Sequence, residues 1–271
     1  MSLFAVRGRT ALVTGAARRL GRAIAEELAG AGADILLHYH RSREAAAEAV
    51  KALRSLGVRA EAVPADLADT AGLSSFWERA LKASPSGRIE ILVNSAALFP
   101  ADTLLGFTAD QLTESLKVNA LAPLLLSRLF ASSLREPFPG VERELSPGAP
   151  EAAGVIVNLL DARMSAPMLH HATYQASKRL LADFTRLLAR ELAPRIRVNG
   201  VAPGLVLPPE DLADEAKRRL QNLNLLGRWG EPRDVGRAVR FLVESGFITG
   251  QVLYLSLIHI SEPTRLLSIS Y

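Results

Sequence analysis

The sequence predicts a single-domain α/β protein built on a doubly wound parallel sheet of seven strands with helices on both faces. Three observations predict it: short apolar runs alternate with longer amphipathic ones, a glycine-containing turn joins the first strand to the first helix, and no linker divides the 271 residues. The strand candidates are TALVT (10–14), DILLHY (34–39), RAEAVPA (59–65), IEILVNS (89–95), GVIVNLL (154–160), RVNGVA (197–202) and QVLYLS (251–256). Most are continuous Val/Ile/Leu runs, as strands covered on both faces require. Between them, segments 21–32, 43–57, 72–83, 110–134, 174–193 and 232–245 carry apolar residues at helical spacing. The segment 136–154, EPFPGVERELSPGAPEAAG, is rich in Pro and Gly and reads as a surface loop, because a strand follows at once.

Composition narrows the function. With 32 basic and 28 acidic residues the net charge is +4 and no polybasic block is present, so an anionic small molecule is a better partner than nucleic acid. There is no cysteine, which excludes disulfides and thiolate chemistry and suits a reducing cytosol, and the five histidines lack metal-ligand spacing. The N-terminus lacks a signal-peptide pattern and no apolar run approaches the roughly 20 residues of a membrane span, so a cytoplasmic location without membrane contact is expected. From Leu255 the chain reads LSLIHISEPTR, which resembles an in-frame translation of a sequencing-library adapter. The α/β domain is therefore expected to occupy residues 1–254 and residues 255–271 to be a non-native tail.

The turn TGAARRLG, Thr14 to Gly21, follows the first strand directly. Backbone amides there, with the positive end of the helix dipole, suit a pyrophosphate. Gly15 and Gly21 fit the usual three-glycine pattern, but Arg19 stands at its middle position, and a helix N-cap without a ligand is the alternative. At the end of the second strand the chain has HYHRS, His38 to Ser42, with no acid until Glu44. An acid there would bind ribose hydroxyls, whereas Arg41 and Ser42, with Arg18 or Arg19, suit a 2′-phosphate. That favours NADPH over NADH, the bland alternative being a solvated basic loop.

Tyr174 and Lys178 are four residues apart, on one helix face. The ammonium, with an oxidised nicotinamide, is expected to pull the phenol pKa below about 10 and make Tyr174 a proton donor. Such a pair alone is common on amphipathic helices. Together with TGAARRLG, "ADL" (65–67), "NSAA" (94–97), "KVNA" (117–120), YQASK (174–178) and RVNGVAPG (197–204), however, it resembles the short-chain dehydrogenase/reductase family over nearly the whole chain. That resemblance implies a Rossmann-type fold and a catalytic set of Asn119, Tyr174 and Lys178. Asn119 would hold a relay water by disturbing its helix, and Lys178 would bind the nicotinamide ribose. It also implies a cofactor site of Gly15, Arg18, Arg19, Leu20, Gly21, Tyr39, His40, Arg41, Ser42, Asp66, Leu67, Asn94, Ser95, Ala96, Lys178, Pro203 and Gly204. A homo-oligomer, tetramer or dimer, would form through the helices beginning near Asp110 and Tyr174.

One departure is specific. Asp161 lies thirteen residues before Tyr174, where the family has a serine. An ionised carboxylate beside a developing alkoxide repels it, so simple carbonyl reduction is disfavoured. A ring with nitrogen atoms changes this, because a carboxylate accepts N–H bonds or, if protonated, donates to an imine nitrogen. In this respect, and in TGAARRLGR, LHYHRS and LVNSAALFP, the chain resembles the pteridine reductase branch. By that resemblance Phe99 stacks on a pterin and Arg19 approaches both pterin and cofactor phosphate, giving substrate contacts at Arg19, Phe99, Asp161 and Tyr174. The structural alternatives are Asp161 as a cap of the next turn and Phe99 as ordinary packing. His170 and His171 read as surface residues near the pocket, and Met164 and Met168 as packing. The expectation is an NADPH-dependent reductase of dihydropterin, dihydromonapterin or dihydrofolate, with protons from Tyr174 and Asp161 and no metal. The alternatives are a general carbonyl or imine reductase and a non-catalytic NADPH sensor.

Overall fold

Seven parallel strands form one sheet in the order β3-β2-β1-β4-β5-β6-β7. They are β1 Thr10–Val13, β2 Asp34–Tyr39, β3 Ala60–Pro64, β4 Ile91–Asn94, β5 Gly154–Leu159, β6 Ile196–Ala202 and β7 Val252–Tyr254. The computed structural model describes residues 4–134, 152–165, 169–207, 213–222, 224 and 226–255; residues 135–151 of the Pro/Gly-rich segment, Met168 and the tail from 256 lie outside them. The strand order runs outward in both directions from the β1–β4 pair. That reversal leaves a crevice at the carboxyl ends of β1 and β4, where doubly wound sheets bind ligands.

Side-chain alternation divides the core into two layers. Ala11, Val13, Ile35, Leu37, Val155 and Val157 face a cluster with Ile24 and Leu28 of α1 (Arg19–Gly30), Leu53 of α2 (Arg43–Arg54) and Val239 and Leu242 of α8 (Pro232–Glu244). Leu12, Leu36, Leu92, Ile156 and Val198 face the other cluster, with Phe76 and Trp77 of α3 (Leu73–Ala83), Phe130 of α5 (Ala122–Ser133) and Leu188 of α6 (Ala172–Leu192). Consecutive residues of one strand thus serve opposite layers, which explains why these strands are largely apolar.

One predicted element is corrected and one further element is added. The helix expected over 110–134 is broken into α4 (Ala109–Leu116), a π-helical turn at Lys117–Leu121, and α5. Pro123, in the first turn of α5, has no N–H to give to the carbonyl of Asn119, so the regular ladder cannot continue there. Instead the Ala122 N–H reaches five residues back to the Lys117 carbonyl. A further helix, α7 (Asp214–Asn222), was not predicted, because DEAKRRLQN has hardly any apolar residues to form a stripe.

A buried polar ladder fixes α6 against the sheet. Asn94 Nδ2 of β4 donates to Asn158 Oδ1 of β5 at 2.8 Å, and Asn158 Nδ2 donates to Thr185 Oγ1 of α6 at 2.9 Å. The axial and rotational setting of α6, and with it Tyr174 and Lys178, is therefore specified by hydrogen bonds as well as by packing. Replacing Asn158 by Ala leaves buried donors and acceptors on both neighbours and is expected to cost about 1–3 kcal/mol. Urea unfolding of the variant beside the wild type measures this, and an unchanged midpoint would contradict it.

Candidate active site

The glycine-containing turn is held from behind. Thr14 Oγ1 accepts the backbone N–H groups of Ser95 and Ala96 at 2.9 and 3.0 Å, which ties the end of β1 to the end of β4. Gly15 stands at φ +66°, and a Cβ there would lie 2.9 Å from the Ala96 backbone. A Cβ on Gly21 would lie 2.3 Å from the Gly15 carbonyl oxygen, so both glycines are demanded by close approach. Arg19, at the pattern's middle position, adopts φ +52°. The backbone keeps the left-handed conformation that glycine normally supplies, at a cost of roughly 1–2 kcal/mol, and places an arginine in the crevice.

His38 completes the seat, a role the sequence motif HYHRS did not disclose. Its ring is buried, Nδ1 accepts the Gly15 N–H at 3.1 Å, and Nε2 lies 3.1 Å from the Ala65 carbonyl. Both contacts are satisfied only by the neutral tautomer with hydrogen on Nε2. Burial pushes its pKa down to about 4.

These residues surround a cleft of about 400 Å³ that gathers Gly15, Arg18, Arg19, Leu20, Gly21, His40, Arg41, Asp66, Leu67, Ser95 and Ala96 of the predicted cofactor set. Its walls also include His38, Ala68, Ala97, Leu98, Glu114 and Val118, which the sequence reading left out. Arg18, Arg19 and Arg41 have no carboxylate partner among the described residues, and His40 Nε2 lies 3.7 Å from Asp66 Oδ2. Three uncommitted guanidinium groups beside open turn amides fit a dinucleotide that carries an additional phosphate. The remaining predicted members lie outside these walls. Tyr39 packs against the core, Ser42 precedes α2 without a side-chain capping bond, and Asn94 is in the buried ladder with its Oδ1 lacking a protein partner among the described residues. Pro203 accepts the Ala162 N–H at 3.0 Å, which binds the segment containing Gly204 to the turn after Asp161.

The predicted catalytic residues converge at the carboxyl ends of β4 and β5. Tyr174 O–H donates to Asp161 Oδ2 at 2.8 Å. Asp161 Oδ1 accepts the Arg163 N–H at 2.7 Å, so this carboxylate both caps its turn and holds the tyrosine. Lys178, buried behind them, donates to the Leu159 carbonyl at 2.6 Å. Burial lowers its pKa to about 8, against a raising effect of Asp161. Asn119, on the π turn, accepts the Leu98 N–H at 2.7 Å and donates to the Leu98 carbonyl and to Ser177 Oγ.

The expected depression of the Tyr174 pKa is corrected. The phenol is shifted well above its ordinary value near 10, first by burial and then by Asp161. Lys178 Nζ lies 5.7 Å from the Tyr174 ring centroid, whereas a carboxylate oxygen touches the hydroxyl, so the anion adds to the effect of burial and the ammonium does not offset it.

Phe99 stands half-exposed with its ring nearly perpendicular to that of Tyr174, at a centroid distance of 4.6 Å. One of its faces is already covered by the imidazole of His171, 3.8 Å away and nearly parallel, so only the opposite face can stack on a ligand. His171 therefore packs on the Phe99 ring, as a lone histidine without a motif could not reveal. Among the described residues, no group of three or more His, Cys, Asp or Glu side chains could hold a metal, and no helix is long and apolar enough to cross a membrane.

This fold and site define a class, and comparison with known proteins names it. The chain belongs to the short-chain dehydrogenase/reductase family: the family profile described as Enoyl-(Acyl carrier protein) reductase matches residues 15–256. A 3-oxoacyl-[acyl-carrier-protein] reductase, FabG, of Aquifex aeolicus is 31% identical over 93% of this chain and 97% of its own. Among solved structures, FolM alternative dihydrofolate reductase 1 from Brucella canis, complexed with NADP, superimposes with a TM-score of 0.80 at 32% identity, covering 93% of each chain. A short chain dehydrogenase from Burkholderia cenocepacia in complex with NADP gives a TM-score of 0.80 at 32% identity, over 92% of this chain and 97% of that one.

The His38 geometry generates a pH prediction. Its pKa is depressed in the folded chain relative to the ordinary 6.5, so between pH 6.5 and about 4 the unfolded chain binds the additional proton and stability falls as pH falls. The contribution is on the order of 3 kcal/mol at most. The stability difference between wild type and His38→Leu, followed by urea unfolding, should be constant above pH 6.5 and shrink below it. A difference independent of pH down to 4 would contradict the assignment.

Proposed function

We propose that this protein is an NADPH-dependent reductase of a pterin-type substrate, a dihydropterin such as dihydromonapterin or a dihydrofolate. The observation that carries the reading is the Asp161 carboxylate in contact with the Tyr174 hydroxyl, where the family's usual serine would leave the tyrosine beside a neutral group. NADPH, when bound, supplies the hydride; Arg18, Arg19 and Arg41 would hold its phosphates. The FolM and Burkholderia neighbours, both bound to NADP, support that cofactor.

The protein's own part is proton delivery. Reducing a C=N bond requires one proton at nitrogen for each hydride at carbon, and the Tyr174 phenol is the group placed to give it. Beside an ionised Asp161 that proton is held tightly. A substrate whose ring N–H groups donate to Asp161 spreads the carboxylate charge away from the phenol oxygen and eases release. A plain ketone offers no such donor and leaves the carboxylate facing a developing alkoxide. The site is thus matched to nitrogen heterocycles. A flat ring also suits the uncovered face of Phe99. Lys178, cationic at neutral pH with its pKa near 8, offsets the two acidic groups in front of it.

The FabG relative favours a second reading, reduction of a carbonyl with Asp161 serving recognition alone. NADPH oxidation measured with dihydrobiopterin, dihydromonapterin and dihydrofolate beside a panel of simple ketones separates the two. The pterin reading predicts turnover confined to the pterins and a fall of roughly 100-fold in kcat/KM for Asp161→Ser. Ketone turnover alone, unchanged in that variant, would establish the second reading.

A further inference from the structure

Asp102 belongs to none of the sequence motifs, yet it is a nearly buried carboxylate, 5% exposed, on the loop between β4 and α4. A carboxylate withdrawn from water needs compensating hydrogen bonds. Here both oxygens go to one residue of the catalytic helix: Oδ1 accepts the Thr173 N–H at 3.1 Å, and Oδ2 accepts the Thr173 hydroxyl. The Asp102 backbone carbonyl accepts the His171 N–H at 2.7 Å. Since the Thr173 hydroxyl donates to Asp102, Ser115 Oγ of α4, 3.0 Å from it, must be the donor in their contact.

This arrangement replaces a local cap. His171, the N-cap residue of α6, is left-handed at φ +63° and makes no side-chain capping bond. The first turn of α6 is instead satisfied by a carboxylate 71 residues upstream, which also lies favourably at the positive end of the helix dipole. The same loop is fixed at its other end, where Leu98 is held by Asn119 of the π turn, and Pro100 takes a 2.7 Å bond from His171 Nδ1. The segment from Leu98 to Asp102 is thus bonded to both the cofactor-side helix turn and the start of α6.

We propose that Asp102 is the positioning residue for the proton-transfer pair. By seating Thr173 it fixes the residue immediately before Tyr174, and so holds the phenol against Asp161, whose other oxygen is anchored to the Arg163 N–H. The inference does not depend on which substrate is reduced.

The test uses Asp102→Ala and Asp102→Asn in the full chain, labelled with ¹³Cζ-tyrosine. Three quantities are measured at pH 7: the Tyr174 Cζ shift, the NADPH dissociation constant, and kcat and KM with whichever substrate of the panel above is turned over. A displacement of the phenol by about 1 Å is enough to lower turnover by 10- to 100-fold, so Asp102→Ala should lose that much in kcat. Its NADPH affinity should stay within about twofold while the Tyr174 resonance moves, because the cleft arginines are untouched and only the proton-transfer pair is displaced. Asp102→Asn, which keeps a carbonyl oxygen for the Thr173 N–H, should restore most of kcat and the wild-type resonance. An unmoved resonance in Asp102→Ala overturns the proposal, as does a loss of NADPH affinity in proportion to kcat, which would make Asp102 a general support of the fold. Asparagine failing as badly as alanine would also overturn it. If no substrate of the panel is turned over, the Tyr174 resonance in the two variants still decides.

Discussion

The hydrogen bond from Tyr174 to Asp161 is the contact on which the rest of the site depends. A phenol and a carboxylate 2.8 Å apart in a nearly buried position hold one proton between them. Every other feature of the site either fixes that distance or balances that charge. The polar ladder through Asn94, Asn158 and Thr185 sets the position of α6, the Arg163 N–H orients the carboxylate, and Lys178 supplies a cation behind the pair. Exchange of the family's serine for Asp161 therefore changes more than one side chain: the carboxylate adds to burial in raising the tyrosine pKa.

The sheet makes this arrangement possible. At the β1–β4 reversal two crossover connections diverge, and the space they leave is lined by the turn after β1, the end of β2 and the loop after β4. His38 and Thr14 fasten those three segments to one another through backbone amides and carbonyls, so the cleft is preformed rather than assembled by a ligand. The conformation of Arg19 fits the same picture, since a left-handed arginine persists only where the surrounding turn holds it.

Much of this was legible in the sequence, for physical reasons that can be named. The central strands could be read because a strand buried on both faces is largely apolar, and Tyr174 and Lys178 could be paired because they lie one turn apart on one helix. What escaped were interactions between residues far apart in the chain. Asp102 and Thr173 are 71 residues apart and neither carries a pattern. His38 was visible as part of a basic stretch, but its use as a neutral acceptor appears only once β2 is placed beside the glycine turn. A disturbed helix at Asn119 was implied by the resemblance, but its local signal, Pro123 four residues later, was obscured by the helical periodicity of the segment. The sign of the Tyr174 shift depended first on burial and then on the carboxylate at its hydroxyl, and neither is written in spacing.

The central claim is that Asp161 holds the Tyr174 proton. A ¹³C NMR titration of the tyrosine Cζ resonances, comparing wild type with Asp161→Ser, tests it most directly. The account predicts that Tyr174 remains protonated well above pH 10 in the wild type and ionises at lower pH once the carboxylate is gone. A Tyr174 that ionises at or below pH 10 in the wild type, and at the same pH in the variant, would contradict it.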